Sequence, residues 1–226
     1  MLENDENNKA LIMKMVASKG SPDYEIILSE PEIDKKTMFI KITNLYDVSL
    51  RRDDLRIFNY FKAVININAE MCLQRNYRGI NPLESIYPID QVYACTVNDN
   101  IHLLLRAAFA KFFLYLHVDR DPMENITIPN LARVWPDIVS GLTQLPRSKV
   151  PVGAKLMQLK HFASTFFTHL GGVQKAFETD LNTYIVDLLR LVEAMVRLGF
   201  YESEDDLINV IGPLISLLDG SLDVLD

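Results

Sequence analysis

The sequence has few of the residues from which enzymes build phosphate sites and nucleophilic centres. Its 226 residues include nine glycines, of which only Gly171 and Gly172 are adjacent. A glycine-rich loop that surrounds a phosphate with backbone amides therefore cannot form, and the GxSxG, HExxH and CxxC patterns are missing. The sequence predicts a protein that is not an enzyme and has no catalytic residues and no cofactor.

Metal ligands are equally sparse. The two cysteines, Cys72 and Cys95, lie in separate helical patterns, and neither has a cysteine or histidine at zinc-ligand spacing. Among the four histidines, His161 and His169 are eight residues apart, which is beyond the i, i+4 spacing that suits one ion. We therefore expect no metal site, and two reduced, buried thiols in a cytosolic protein.

Basic residues are fewer than acidic ones. The net charge is −7, from 30 acidic and 23 basic residues, and the longest basic run is Arg51-Arg52. This balance disfavours a nucleic-acid-binding protein and a polybasic membrane-binding patch. The long apolar stretch 101–118 contains Arg106 and Lys111, each of which costs roughly 2.5–3.5 kcal/mol at a bilayer centre. The stretch is therefore expected to be a buried core helix, and the acidic N-terminus does not resemble a signal peptide.

The patterning divides the chain into two parts. Residues 1–50 are predicted to contain a polar leader, a short helix over Ala10–Ser18, and two β-rich runs, 24–28 and 37–42, that can pair as a hairpin. Residues 51–226 are predicted to form a helical domain. Between 53 and 77, for example, one apolar row runs from Leu55 to Cys72 and a second contains Tyr60, Val64, Ile67 and Met71.

A helix with two apolar sides needs neighbours on both, as stacked helical hairpins provide, so we predict an all-α fold of the α-solenoid type. The further helices are predicted at 89–97, at 101–117 with an N-cap among Asn98, Asp99 and Asn100, and at 130–135, where Pro136 interferes and the helix can resume to 142. Three more are predicted at 153–170, 173–198 and 203–218. The last begins at a pattern like a capping box, Ser203 and Asp206, and is expected to kink near Pro213.

One polar cluster, His117 to Pro122, follows the buried helix and is the sequence's candidate site. His117, Asp119 and Asp121 could contribute to a cation site, but a calcium loop needs more oxygen ligands than this short turn provides. The alternative is a structural corner, in which His117 caps the carbonyl end of its helix, Arg120 pairs with a carboxylate, and Asp121-Pro122 set the turn. The structural interpretation is preferred.

The single tryptophan, Trp135, follows Arg133 and Val134 on an amphipathic segment. It could be a ligand platform, but large aromatic side chains contribute most often to the burial of a core. We therefore predict that Trp135 is a structural anchor.

Four motifs give the chain a resemblance to a known family. Residues 105–124, which contain the run His-Val-Asp-Arg-Asp-Pro, and residues 69–77, with Met-Cys-Leu-Gln-Arg-Asn-Tyr, resemble segments of inositol trisphosphate receptors. Residues 132–135, Ala-Arg-Val-Trp, and 198–201, Leu-Gly-Phe-Tyr, are similar to two further motifs in the same order. Ala108 and Met123 stand where the family has serine and glutamine, and residues 143–172 diverge.

The resemblance implies a segment of a tetrameric calcium-release channel of the endoplasmic reticulum membrane. The segment would be an armadillo-like helical region on the cytosolic face, after the ligand-binding core. Its partners would be other domains and subunits of the channel, with inositol trisphosphate bound upstream and no membrane contact by the segment itself. No position here matches a ligand-binding residue of the family, so the resemblance implies no ligand-binding residue in this chain.

The function implied is the relay of ligand-induced movement towards the pore. Gly171-Gly172 and residues 143–152 would then be hinge candidates. A free-standing helical-repeat adaptor that binds partner peptides remains the alternative, together with the equivalent segment of a ryanodine-receptor-like channel.

Overall fold

The structure is a computed structural model of the chain, and it is mostly helical. It describes residues 12–17, 24–29, 38–51, 55–120, 153–170, 175, 177–201 and 203–219. The helices are α1 (Leu45–Arg51), α2 (Arg56–Met71), α3 (Tyr77–Ile86), α4 (Ile89–Val97), α5 (Leu103–Phe113), α6 (Ala154–Leu170), α7 (Thr179–Arg197) and α8 (Glu204–Asp219).

The N-terminal part forms a three-stranded antiparallel sheet. Its strands are β1 (Ile12–Ala17), β2 (Tyr24–Ser29) and β3 (Met38–Lys41), in the spatial order β1-β2-β3. The hairpin of β2 and β3 confirms the predicted pairing of the two β-rich runs. The predicted helix over Ala10–Ser18 is wrong, because β1 pairs with β2 along its whole length. The six residues of β1 gain cross-strand hydrogen bonds there, whereas so short an isolated helix is marginal in water.

In the described residues after 51 the predicted helical character is confirmed, although α7 begins at Thr179 and not at residue 173. Two further differences concern helices that precede α7. The first is α3, a separate helix that the sequence pattern did not predict. The second is the start of α5, where the side chain of His102, and not of Asn98–Asn100, accepts a hydrogen bond from the amide of Leu104 at 3.3 Å. The Asn98 side chain instead accepts from the amide of Asn100 at 3.0 Å and closes a local turn. Residues 130–142, the hinge candidates 143–152 and Gly171-Gly172 lie outside the described residues.

The core of the helical part is built around α5, which packs against α2, α4 and α7. Every residue from Leu105 to Ala110 is buried. Apart from Arg106, this stretch is apolar on all sides, as expected for a helix with neighbours on all sides. The largest fully buried side chains of the described residues are Ile42, Leu45, Phe58, Phe61, Ile65, Ile80, Phe109, Phe112, Phe113, Phe167 and Tyr184.

Only one of the two apolar rows of α2 is buried among the described residues. Phe58, Phe61 and Ile65 are between 0% and 2% exposed, and they belong to the row that faces α5. In the second row, Ile67 is 59% exposed and Met71 is 48% exposed. The expected neighbour on that second side is therefore not found in the part of the chain that the structure describes.

A buried arginine joins the middle helices. Arg106 on α5 is 3% exposed, and its Nε donates to the carbonyl of Thr96 at 3.2 Å and its Nη2 to that of Val97 at 3.4 Å, at the end of α4. Nη2 also donates to the hydroxyl of Tyr184 on α7 at 3.2 Å, and this hydroxyl donates to Thr96 O at 2.9 Å. Asp99 lies 2.8 Å from Nη1 and balances the charge. One guanidinium therefore connects α4, α5 and α7.

The connection between α2 and α3 is a tight turn with unusual backbone geometry. Gln74 and Arg75 have φ angles of 55° and 58°, in the left-handed region that non-glycine residues rarely adopt. The Asn76 side chain donates to the carbonyl of Met71 at 2.9 Å and holds the turn closed. A Cβ on Gly79 would lie 2.4 Å from that same carbonyl oxygen, so the close approach of α3 to α2 requires glycine there.

Replacing Gly79 with alanine should therefore destabilise the fold. The added methyl group meets backbone, which cannot move aside as a flexible side chain could, so we expect a loss of about 1–3 kcal/mol in the free energy of unfolding, measured by urea denaturation. Gly212→Ala in α8 is the matched control, because a Cβ there meets nothing within 4 Å. That control should leave stability unchanged or raise it by about 0.4–1 kcal/mol. Equal effects of the two changes would contradict the close approach.

Candidate functional site

The predicted site lies where α5 ends. The helix continues from Phe113 into a π-helical turn over Leu114–Val118, which is closed by a hydrogen bond of 2.8 Å from the amide of Asp119 to the carbonyl of Leu114. Leu116 and Val118 are fully buried and hold this wider turn in the core. Because the turn contains one more residue than an α-helical turn, it sets the directions in which His117, Asp119 and Arg120 leave the helix.

His117 caps a helix, but not the helix that was predicted. Its Nε2 lies 3.2 Å from the carbonyl of Tyr87, the residue that ends α3, and the neutral ring with its proton on Nε2 donates there. The side chain is 6% exposed. Burial lowers its pKa to about 4, against smaller opposing effects of the Tyr87 carbonyl and the Glu84 carboxylate. The prediction that His117 caps its own helix is therefore wrong, and the ring is neutral near pH 7.

Arg120 forms the ion pair that was predicted for it. Its Nη1 and Nη2 donate to the two carboxylate oxygens of Glu84 on α3, at 2.6 and 2.9 Å. This two-point geometry is the strong form of an arginine–carboxylate pair. The hydrogen bond from Arg120 is the main reason that the pKa of Glu84 is lowered. The pair ties the end of the π-helical turn to α3.

Asp119 forms the third connection of the corner. Its Oδ1 accepts a hydrogen bond of 2.9 Å from Nε of Arg75, in the left-handed turn between α2 and α3. Arg75 therefore has a partner that favours its unusual backbone conformation. Through His117, Asp119 and Arg120 the end of α5 is attached to the α2–α3 turn and to the far end of α3.

The geometry at the corner supports a structural role rather than a catalytic or ion-binding role. Each of the three polar side chains has a protein partner, and the one histidine is neutral and buried. Among the described residues, no three His, Cys, Asp or Glu side chains converge as a metal site would require. Asp121 and Pro122, the remaining residues of the predicted turn, lie outside the described residues, as does Trp135.

Sequence reasoning missed the partners at this corner. Arg75, Glu84 and Tyr87 are 44, 36 and 30 residues from their contacts. A single sequence contains no signal for pairings at such distances. Arg106 could have been recognised, because a charged residue in the middle of an apolar run must find partners when it is buried.

A surface groove lies on another side of the molecule, between the start of α1 and the helices α4 and α6. It has a volume of about 720 Å³ and contains Asp47, Asp90 and Lys155. Lys155 Nζ lies 3.3 Å from Asp90 Oδ1 and 5.2 Å from the centre of the Tyr93 ring. With one paired lysine and two acids, this groove is poorly suited to a polyphosphate ligand.

Comparison with known proteins shows a distant similarity to an inositol trisphosphate receptor. No family model matches the chain. It is 23% identical over 222 residues to the inositol 1,4,5-trisphosphate receptor itr-1 of Caenorhabditis elegans. The match covers 87% of this chain but only 8% of the receptor. This distant similarity is in line with the resemblance of the four sequence motifs.

The described residues are mostly helical. Among them, no helix combines the length and the apolar character needed to cross a membrane.

The neutral state of His117 predicts a pH dependence of stability. The ordinary pKa of 6.5 falls to about 4 in the folded protein, so protonation favours the unfolded chain. The neutral ring contributes at most about 3 kcal/mol to the free energy of unfolding. This contribution is complete above pH 6.5 and is lost as the pH falls towards 4. We expect His117→Gln, which can still donate to Tyr87, to lose less stability than the wild type between pH 7 and pH 4.5, measured by urea denaturation. Parallel pH profiles of the two proteins would contradict this account.

The two interpretations of the corner are separated by Asp119→Ala. Loss of the Arg75 pair, which is only partly exposed, should lower the free energy of unfolding by about 1 kcal/mol and leave calcium binding by the chain unchanged in isothermal titration. Glu193→Ala is the control, since its pair with Arg197 is 65% exposed on both sides and should contribute less than about 0.5 kcal/mol. Calcium binding that is present in the wild type and lost on removal of Asp119 would favour the cation site instead.

Proposed function

We propose that the chain is a cytosolic, armadillo-like helical segment of an inositol trisphosphate-gated calcium-release channel, and that it relays ligand-induced movement towards the pore. The observation that supports this most is the distant similarity to the Caenorhabditis elegans receptor along 87% of the chain. The segment would lie on the cytosolic face of the endoplasmic reticulum membrane. Its partners would be other domains and subunits of a tetrameric channel.

The mechanical role is supported by how the helices are joined. Movement is transmitted by packed elements that shift as rigid bodies, and this requires contacts that do not yield locally. Arg106 connects α4, α5 and α7, and the corner connects α5 to α2 and α3. A displacement applied at α2 would therefore be carried through α5 to α7.

No enzymatic role is proposed. The one polar cluster singled out in the sequence is used in structural contacts where it is described, and the groove near Lys155 is not a polyphosphate site. Ligand would be bound by a different part of the channel, and this segment would respond to it.

The proposal is tested in the full-length channel that carries this segment. Tyr184→Phe removes the hydroxyl that joins α7 to Arg106 and Thr96, while it keeps the ring in the core. We expect calcium release at a saturating ligand concentration to fall at least threefold, while the Kd for inositol trisphosphate stays within twofold of the wild-type value. Tyr93→Phe on α4, which keeps the ring 5.2 Å from Lys155 Nζ, is the matched control and should leave both quantities unchanged.

Two results would count against the proposal. One is unaltered calcium release in the Tyr184 variant, and the other is micromolar binding of inositol trisphosphate to the isolated chain. If the chain instead functions in cells as a short free-standing product, the helical-repeat adaptor becomes the better interpretation.

A further inference from the structure

The imidazole ring of His102 contacts four helices at once. Its Nδ1 accepts the hydrogen bond from the amide of Leu104 at the start of α5. Its Nε2 lies 3.6 Å from Oδ2 of Asp180, in the first turn of α7. The ring stacks on that of Tyr46 in α1, with the ring centres 3.9 Å apart, and meets the ring of Phe58 in α2 nearly at a right angle, with the centres 5.2 Å apart. One side chain therefore links α5 to α1, α2 and α7.

The hydrogen bond at Nδ1 determines where the neutral ring carries its proton. A ring nitrogen that accepts a hydrogen bond has no proton of its own, so neutral His102 is protonated on Nε2. This nitrogen is the one beside the carboxylate of Asp180. The neutral ring thus satisfies one of the free amides at the start of α5 and places its own N–H next to an acid.

A second proton reverses the contact at Nδ1. Both nitrogens of the imidazolium are donors, so the N–H on Nδ1 would face the N–H of Leu104 and the hydrogen bond between them is lost. The same positive charge is attracted to Asp180 at the other nitrogen. The ring can therefore cap α5 or carry a charge, but it cannot do both in this position.

The charged groups that face His102 come from three neighbouring helices. Burial has the largest effect and lowers the pKa of His102 below its ordinary 6.5; Asp180 on α7 and Asp47 on α1 act against it, and Lys62 on α2 acts with it. The first turn of α5 contains no acidic residue. The neutral form is therefore complete above pH 6.5 and is lost as the pH falls through the lower pKa of the folded protein.

Protons can reach the ring, and the start of α5 has room to move. The side chain of His102 is 21% exposed. A cavity of about 300 Å³ lies between the starts of α5 and α7 and is lined in part by Leu103 and Asp180. Leu103 and Leu104 are half-buried, whereas the residues from Leu105 to Ala110 are buried. The first turn of α5 can therefore open while the middle of the helix stays packed.

We propose that His102 is a pH-sensitive N-cap that holds the start of α5 when its ring is neutral and releases it when the ring is protonated. On protonation the ring gives up the Leu104 amide and pairs with Asp180. Because α5 packs against α2, α4 and α7, the rigidity of the helical core then depends on pH. The proposal does not depend on the channel assignment.

The test follows the ring and the amide together by NMR spectroscopy of the 226-residue chain between pH 7.5 and pH 5. This range lies above the pKa of about 4 of His117, so that ring stays neutral. The ring nitrogens of His102 report its tautomer and its protonation, and hydrogen exchange reports the protection of the Leu104 amide. Above pH 6.5 the proton should lie on Nε2. As the pH falls, the protection factor of the Leu104 amide should drop about fivefold, as for the loss of one N-cap, with the same midpoint as the ring.

Variants separate the cap from the charge. In His102→Asn the cap is kept and cannot be protonated, since asparagine is a strong N-cap residue, so the protection of the Leu104 amide should not change with pH. Asp180→Asn should move the midpoint to lower pH, because the charged ring loses its partner. His169→Asn, at an exposed histidine of α6, is the matched control and should keep the wild-type profile. Circular dichroism verifies that each variant is folded.

Five results would overturn the proposal. Three concern the wild type: a neutral ring with its proton on Nδ1, a ring that stays neutral down to pH 5, and a Leu104 amide whose protection does not follow the ring. The fourth is the wild-type pH dependence in His102→Asn. The last is an equal loss of protection at the amide of Phe109 in the buried part of α5, which would show that the whole fold opens and not only the start of the helix.

Discussion

The buried guanidinium of Arg106 is the contact on which the rest of the helical part depends. A charge in the centre of an otherwise apolar helix is tolerated only when its hydrogen bonds are satisfied, and here the carbonyls of Thr96 and Val97, the hydroxyl of Tyr184 and the carboxylate of Asp99 satisfy them. The carbonyl end of α4 favours a cation because of the helix dipole. The position of α5 relative to α4 and α7 is therefore determined by polar geometry as well as by apolar packing.

The corner follows from that position. With α5 fixed, its π-helical end brings His117 against the carbonyl of Tyr87, just after α3, Arg120 against Glu84, and Asp119 against Arg75. The same charges that made residues 117–120 stand out in the sequence are thereby used to hold α2 and α3 in place. This is why the corner is a connection between helices, and it suits a segment whose proposed task is to transmit movement.

The sequence predicted the features that depend on local pattern. It did not predict those that depend on contacts between residues far apart in the chain. Three local features could be predicted from the sequence. They are the apolar period of α2, the buried stretch of α5, and the contact of Ser203 with the Asp206 amide, which is 3.1 Å long in the structure. The strand at Ile12–Ala17 could not, because its pairing with β2 outweighs local preference. The contacts of His117 and Asp119 could not either, since their partners lie 30 and 44 residues away. The helix at the end of the chain was predicted, but only the packing of α8 on α6 shows which of its sides faces outward.

The most direct test of the central contact is a double-mutant cycle between Arg106 and Tyr184. Urea denaturation would give the free energies of unfolding of the wild type, Arg106→Met, Tyr184→Phe and the double variant. If the guanidinium and the hydroxyl act together across α5 and α7, the two changes should be non-additive, with a coupling energy of about 1 kcal/mol or more. Additivity within about 0.3 kcal/mol would show that the helices are held by apolar packing alone, and would contradict the account.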